Sequence, residues 1–218
     1  MIKNYFKIIF RTIGKNKFYS FINIFGLAVG ISASTLIALF IEDELSYDSH
    51  HENAERIYRL TTVLDFNGEM DVAVTNLAAA PTLQRDYPEV ESYARFYGGR
   101  QEFDLEVDEV IYKQDQLWFT DSTVFDVFTY DIINGDKENA LNAPYSIVLT
   151  SSMATTLFGS TDVVGEQLKM NNSFLTVTAI IADPPDNSEI PVSGLISFTS
   201  MPQGFHDAFN QDWFRVSF

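Results

Sequence analysis

From Phe18 to Ile41 the chain runs for 24 residues without a charged side chain, and the pattern differs on either side of that run. At about 1.5 Å of rise per residue it would span roughly 36 Å, enough to cross a hydrocarbon core of about 30 Å. It predicts a transmembrane helix over 18–41. Upstream, Ile2, Tyr5, Phe6, Ile9 and Ile13 share one face of a helical wheel, while Lys3, Lys7, Arg11 and Lys15 recur every four residues on another. That pattern predicts an amphipathic interfacial helix over 1–17, with residues 14–17 as the bend into the span. Downstream, Glu42, Asp43 and Glu44 would sit badly against the negative end of a helix that stopped at Ile41. The helix is therefore expected to continue into a stalk over 42–56.

Beyond the stalk, the pattern predicts a mixture of strands and helices. Alternation over Ile57–Phe66 predicts a strand, Asn67-Gly68 a hairpin turn, and Glu69–Thr75 the returning strand. Asn76 is placed to cap a helix over Leu77–Asp86, which Tyr87-Pro88 ends. Strands are expected near Ser92–Phe96, Glu102–Val107 and Gln116–Phe119, and a helical piece near Thr123–Phe128. Ser146–Leu149 reads as a buried strand, and Ser151–Phe158 as a helix closed by Gly159. Gln167–Met170 and Phe174–Ile181 flank Asn171-Asn172 as a second hairpin, Pro184-Pro185 breaks the pattern, and Gly194–Ser200 forms a last strand. The fold class expected over 57–218 is α+β, a mixed and mostly antiparallel sheet with interleaved helices.

Charge gives the apolar run a direction. Lys3, Lys7, Arg11, Lys15 and Lys17 precede it with no acid among them, which places the N-terminus in the cytoplasm. The remaining 9 Lys+Arg (14 minus 5) and all 30 Asp+Glu follow it, a net of −21 on the outer side. A cleaved signal peptide is disfavoured, because its apolar part is about 7 to 15 residues long and no small-x-small cleavage site followed by a polar mature start is evident after Ala38. The acidic part would repel nucleic acid, so no nucleic-acid partner is expected, while polycationic ligands stay open. Zero cysteines remove disulfides, thiol catalysis and thiolate metal sites, leaving burial of residues such as Phe125, Phe128, Val148 and Leu157 to hold the fold.

Within the span, Asn23, Gly26, Gly30 and Ser34 recur every three or four residues and form one small, slightly polar stripe. Such a stripe lets another backbone approach closely, so further membrane helices are its expected partners. Catalytic and metal motifs are wanting. His51-Glu52-Asn53-Ala54-Glu55 lacks the second histidine of the zinc-protease helix, and His206 is distant in sequence. Asp121, Asp126, Asp131 and Asp136 recur every five residues, unlike a calcium loop, and read as strand-end and turn acids. No catalytic residue, metal ligand or cofactor is assigned.

Several segments in order resemble the N-terminal part of FtsX-like ABC transporter permeases that carry a MacB-like periplasmic core domain. The resemblance starts with Lys15-Asn16-Lys17-Phe18-Tyr19-Ser20 and runs through Gly30. It continues with Glu44-Leu45-Ser46-Tyr47-Asp48, His51 to Arg59 and Tyr87-Pro88-Glu89-Val90-Glu91. Phe119-Thr120-Asp121-Ser122, Phe125-Asp126-Val127-Phe128, Ser146 to Thr150 and Leu157-Phe158-Gly159 follow. Val163-Val164-Gly165 and Asp183-Pro184-Pro185-Asp186-Asn187-Ser188 complete it. His50 departs from the pattern, standing where the family usually has an aromatic residue. The sequence stops at Trp213–Phe218, inside what would be the last part of the core domain, and three further spanning helices are expected of such a unit. A fragment or a truncated product is therefore expected.

The resemblance implies a non-enzymatic permease subunit in the bacterial inner membrane, its main domain periplasmic or extracellular. A separate cytoplasmic ABC ATPase would hydrolyse ATP, and the helices and stalk would transmit the motion outward to export or extract a substrate. Membrane lipids and further permease helices, or a second permease copy, are the other implied partners. The alternative is a single-pass envelope sensor or binding protein whose acidic domain captures cationic peptides. A membrane-anchored hydrolase has no assembled site in the sequence.

Overall fold

The computed structural model describes residues 11, 15–65, 69–99, 101–202 and 204. The chain divides into two units, Met1–Tyr47 and Asp48–Phe218. The first contains one long helix, α1 (Lys17–Leu45), of 29 residues. Its length and apolar composition suffice to cross a membrane, and none of its residues is buried. The helix passes through Glu42, Asp43 and Glu44 before stopping, and the amide and hydroxyl of Ser46 both donate to the Asp43 carbonyl. Those two bonds satisfy a carbonyl that the last turn would leave open. The amphipathic helix expected over 1–17, with Lys3 and Lys7, falls mostly outside the described residues; Arg11, Lys15 and Lys17 are exposed.

The second unit begins with a 3-10 turn, Ala54–Arg56, and a separate antiparallel pair, β1 (Thr62–Asp65) and β2 (Glu69–Val72). Asp65 pairs with Glu69, while Asn67-Gly68 itself lies outside the described residues. Helix α2 (Ala79–Asp86) follows. The main sheet then takes β3 (Phe96–Tyr97), β4 (Phe103–Val107), β5 (Val110–Gln114), β6 (Leu117–Thr120), β7 (Ile132–Gly135), β8 (Ser146–Thr150), β9 (Gln167–Met170), β10 (Ser173–Ile181) and β11 (Gly194–Ser197). Helices α3 (Val124–Val127) and α4 (Ser151–Phe158) interrupt the strands.

The strand order is β3-β6-β11-β8-β10-β9-β4-β5, with β7 also pairing to β10. β8 with β10 and β6 with β11 are parallel; the other pairs are antiparallel. The architecture is thus α+β with a mixed sheet, as the residue pattern predicts. β10 is the organising strand: β8 flanks one edge from Thr176 to Ile181, and β9 and β7 share the other edge.

Burial follows from this arrangement. Every residue of β8 and β11 is buried, because both strands lie inside the sheet and both faces are covered. Ile147 and Leu149 face one apolar cluster with Met153, Ala154 and Leu157 of α4. Val148 faces the other, with Val124 and Phe125 of α3 and with Leu141 and Ile181. Successive residues of β8 therefore serve opposite cores, the two-residue period of a strand.

Local chemistry sets the boundaries of α4. The Thr150 hydroxyl accepts the Met153 amide at 3.3 Å, and Gly159 closes the helix at φ +73°, as expected of a left-handed cap. Elsewhere the boundaries move. Helix α2 starts at Ala79, and the Asn76 side chain accepts the Ala78 amide at 2.7 Å, forming a turn ahead of the helix in place of the cap expected of it. The first strand is confined to Thr62–Asp65, and the strand expected over Ser92–Phe96 is only Phe96–Tyr97. Gly99 lies against the Trp118 ring so closely that a β-carbon there would stand 1.9 Å from it.

Candidate functional site

The segment by which the chain enters the globular unit is bonded to two separate loops. Asp48 adopts φ +54°, a conformation that aspartate tolerates better than most residues. Its amide donates to the Asn187 carbonyl at 3.1 Å, and its carboxylate accepts the Glu189 amide at 3.0 Å and the Ser188 hydroxyl at 3.3 Å. Three residues on, His51 is buried, 5% exposed, and its Nδ1 accepts the Thr129 amide at 3.1 Å. The Thr129 hydroxyl in turn accepts the Glu52 amide at 2.9 Å. The His51 ring meets Phe128 edge-on at 5.0 Å and Tyr130 at 6.3 Å, with the His50 ring 3.9 Å away.

The loop that holds Asp48 is itself fixed at its other end. Asp183 accepts the Ser151 hydroxyl at 2.6 Å, the Ser152 hydroxyl at 2.9 Å and the Ser152 amide at 3.2 Å, all in the first turn of α4. Burial opposes ionisation of Asp183, but these donors together outweigh it and hold the carboxyl below the ordinary carboxylate range. Glu189 pairs with Arg59, whose guanidinium also donates to the Ala73 carbonyl at 3.2 Å. A continuous set of bonds thus joins Asp48, the 183–189 loop, α4 and the end of β10.

Asp48, His50 and His51 bring ligand-type atoms within 4.8 Å of one another, so a metal centre must be tested on their chemistry. A metal-bound imidazole donates the N–H of its other nitrogen. His51 does the reverse: its Nδ1 accepts an amide, which puts the proton on Nε2, 4.0 Å from the Asp48 carboxylate. These three residues do not fit a three-ligand metal site. His206 lies outside the described residues.

Catalytic geometry is likewise wanting in a groove of about 360 Å³ beside α4 and the 183–193 loop. Among its serine hydroxyls Ser152 donates to Asp183, Ser188 to Asp48 and Ser193 to Gln116, and no histidine or lysine stands among the described residues that line it. Asp121 and Asp136 are turn acids, as expected. Asp121 binds Arg95, and Asp136 accepts the Glu138 amide at 3.0 Å and the Asn139 side chain at 2.6 Å. Asp126 lies within α3, away from any strand end.

Asn23, Gly26, Gly30 and Ser34 are all exposed on α1, and the space beside Gly26 and Gly30 is open. Asp48 and Asn187-Ser188 both stand in the segments that carry the family resemblance, but nothing local signals that they meet. Asp48 and Ser188 lie 140 positions apart. Thr129 carries no sequence signal at all; a backbone amide paired with a histidine leaves no pattern.

The chain is similar to a solved domain assigned to a permease protein of Porphyromonas gingivalis, at 24% identity and a TM-score of 0.57 over 68% of this chain and 61% of that one. It is also similar to the periplasmic region of MacB from Actinobacillus actinomycetemcomitans, at 13% identity, a TM-score of 0.43 and the same coverage. A third is the extracellular domain of the noncanonic ABC-type transporter YknZ from Gram-positive bacteria, at 16% identity and a TM-score of 0.39 over 52% and 56%. The chain therefore spans about three fifths of the length of the solved chains that it matches. No curated protein matches it. The family model for the MacB-like periplasmic core domain matches residues 20–213, all but the first 19 and last 5 residues, and the chain belongs to that family.

Proposed function

We propose that the chain is part of the permease subunit of an ABC transporter of the FtsX/MacB type. In this reading α1 crosses the inner membrane, the N-terminus is cytoplasmic, and the acidic unit lies in the periplasm or outside the cell. A separate cytoplasmic ATPase supplies the work, and the globular unit moves to export or extract a substrate. The observation that carries the reading is the family match over residues 20–213. The bonding at Asp48 suits it, because a displacement arriving along the chain is handed to the 183–189 loop and from there to α4 and β10. Lys3, Lys7, Arg11, Lys15 and Lys17 would face the anionic inner leaflet. Asn23, Gly26, Gly30 and Ser34 would meet further permease helices or a second copy.

The absence of cysteine makes a clean test of orientation. Lys15→Cys and Tyr58→Cys, each the single thiol of its variant, are exposed in the structure. A maleimide that does not cross membranes should label Tyr58→Cys in intact spheroplasts and Lys15→Cys only after lysis. The opposite pattern would overturn the orientation. Affinity isolation from native membranes tests the partner: recovery of an ABC ATPase supports the permease reading. Recovery of no ATPase, with retention of cationic peptides, would favour the sensor.

A further inference from the structure

One imidazole at the start of the globular unit makes a hydrogen bond that is available only to its neutral form. His51 Nδ1 accepts the Thr129 amide at 3.1 Å, so the ring carries its one proton on Nε2. A second proton has nowhere to go but Nδ1, where it would set one N–H against another and end the contact with Thr129. Among the described residues the groups that face the ring are few. On its own segment they are the Asp48 carboxylate, 4.0 Å from Nε2, and the His50 ring at 3.9 Å. From the segment packed against it they are Phe128, Thr129 and Tyr130. Tyr130 is pushed up by burial and then by Asp48, so its hydroxyl stays neutral across the range in which histidine titrates.

We propose that His51 is an acid-operated release: neutral, it fastens His51–Arg56 to Thr129, and protonated, it lets that stretch go. Asp48 keeps its bonds to Asn187 and Glu189, so the release begins after Asp48 and leaves the chain tethered there. The Glu52–Thr129 bond loosens with it, since both bonds share one threonine. This inference goes beyond the transporter reading and does not depend on it.

The direction follows from linkage. Burial, then the charge of His50, hold His51 below the ordinary imidazole value of 6.5, and Asp48 and the Thr129 contact offset this only in part. Once released into water the ring titrates near 6.5. The fastened state is therefore fully favoured above about pH 6.5 and is lost as the pH falls through that value toward the lower one. One proton limits the effect to about tenfold per pH unit.

Amide hydrogen exchange on the full chain in detergent, corrected for intrinsic rates, reads this at residues 51–56 and 128–130. Between pH 7.5 and 5.5 protection there should fall several-fold, while β8 and β10 stay protected. His51→Asn supplies an oxygen acceptor where Nδ1 stood and does not titrate, so its protection should be flat with pH; His50→Gln should keep a response of the same direction, reduced but not lost, because burial of His51 still lowers its pKa. Unchanged protection in the wild type, an undiminished response in His51→Asn, or a response abolished by His50→Gln would each overturn the proposal. Should His51→Asn fail to fold, nitrogen NMR of the unmodified chain decides the matter. The neutral Nε2–H form at pH 7.5 supports the proposal, and a protonated ring or the other tautomer at that pH refutes it.

Discussion

Arg95 holds three stretches of chain with one guanidinium. Its Nε and Nη2 donate to the two oxygens of Asp121 at 2.8 and 2.5 Å, its Nη1 donates to the Leu77 carbonyl at 3.1 Å, and its plane lies 4.0 Å over the Phe198 ring. Both partners of the ion pair are largely buried, with side chains 17% and 13% exposed, so water does not screen it as it screens a surface pair. Asp121→Asn keeps the shape but removes the charge and leaves one guanidinium donor facing an amide nitrogen. It should cost about 2–3 kcal/mol of stability, read as a lower urea midpoint with an unchanged slope. The sequence offers Asp121 as one of four evenly spaced acids and gives no hint of this. Its partner lies 26 positions away, and an arginine that binds a carbonyl and an aromatic face at once has no local spacing to reveal it.

At the scale of elements, the legible parts are those whose ends have their own chemistry. Helix α4 could be read to the residue because a threonine begins it and a glycine in the left-handed region ends it. β9 and β10 could be read because Asn171 turns between them at φ +54°. β5 carries no such signal. It returns from β4 through Asp108 and Glu109, at φ +49° and +65°, two acids in a turn that glycine or asparagine enters more easily. Replacing them together, Asp108→Asn with Glu109→Gly, should stabilise the chain by about 1 kcal/mol, seen as a higher melting temperature. β7 leaves no local signal, because it is four residues long and borrows its register from the far end of β10. For α1 the prediction concerns what it meets: Gly26→Leu with Gly30→Leu fills the small-residue stripe with bulk. It should weaken recovery of partner helices from membranes while leaving insertion of the chain unchanged, as measured by crosslinking and by carbonate extraction.

For the whole molecule, the sequence revealed the division more readily than the joint. The apolar run, the basic start and the acidic remainder are properties of composition and can be read without a fold. The meeting of Asp48 with the 183–189 loop, and of His51 with Thr129, depends on how nine strands are ordered, which composition cannot say. That ordering also bears on how the chain comes to be folded. β11 is inserted between β8 and β6, and Gly194 pairs with Leu117, 77 positions earlier. A polypeptide delivered N-terminus first must carry an open slot, walled by Ile147, Val148 and Leu149 on one side and by Leu117 and Phe119 on the other. The slot stays open until its last strand arrives. During that wait its bare edges can pair with a stranger's strand, so the domain is more open to misassembly while it is being made than once it is folded.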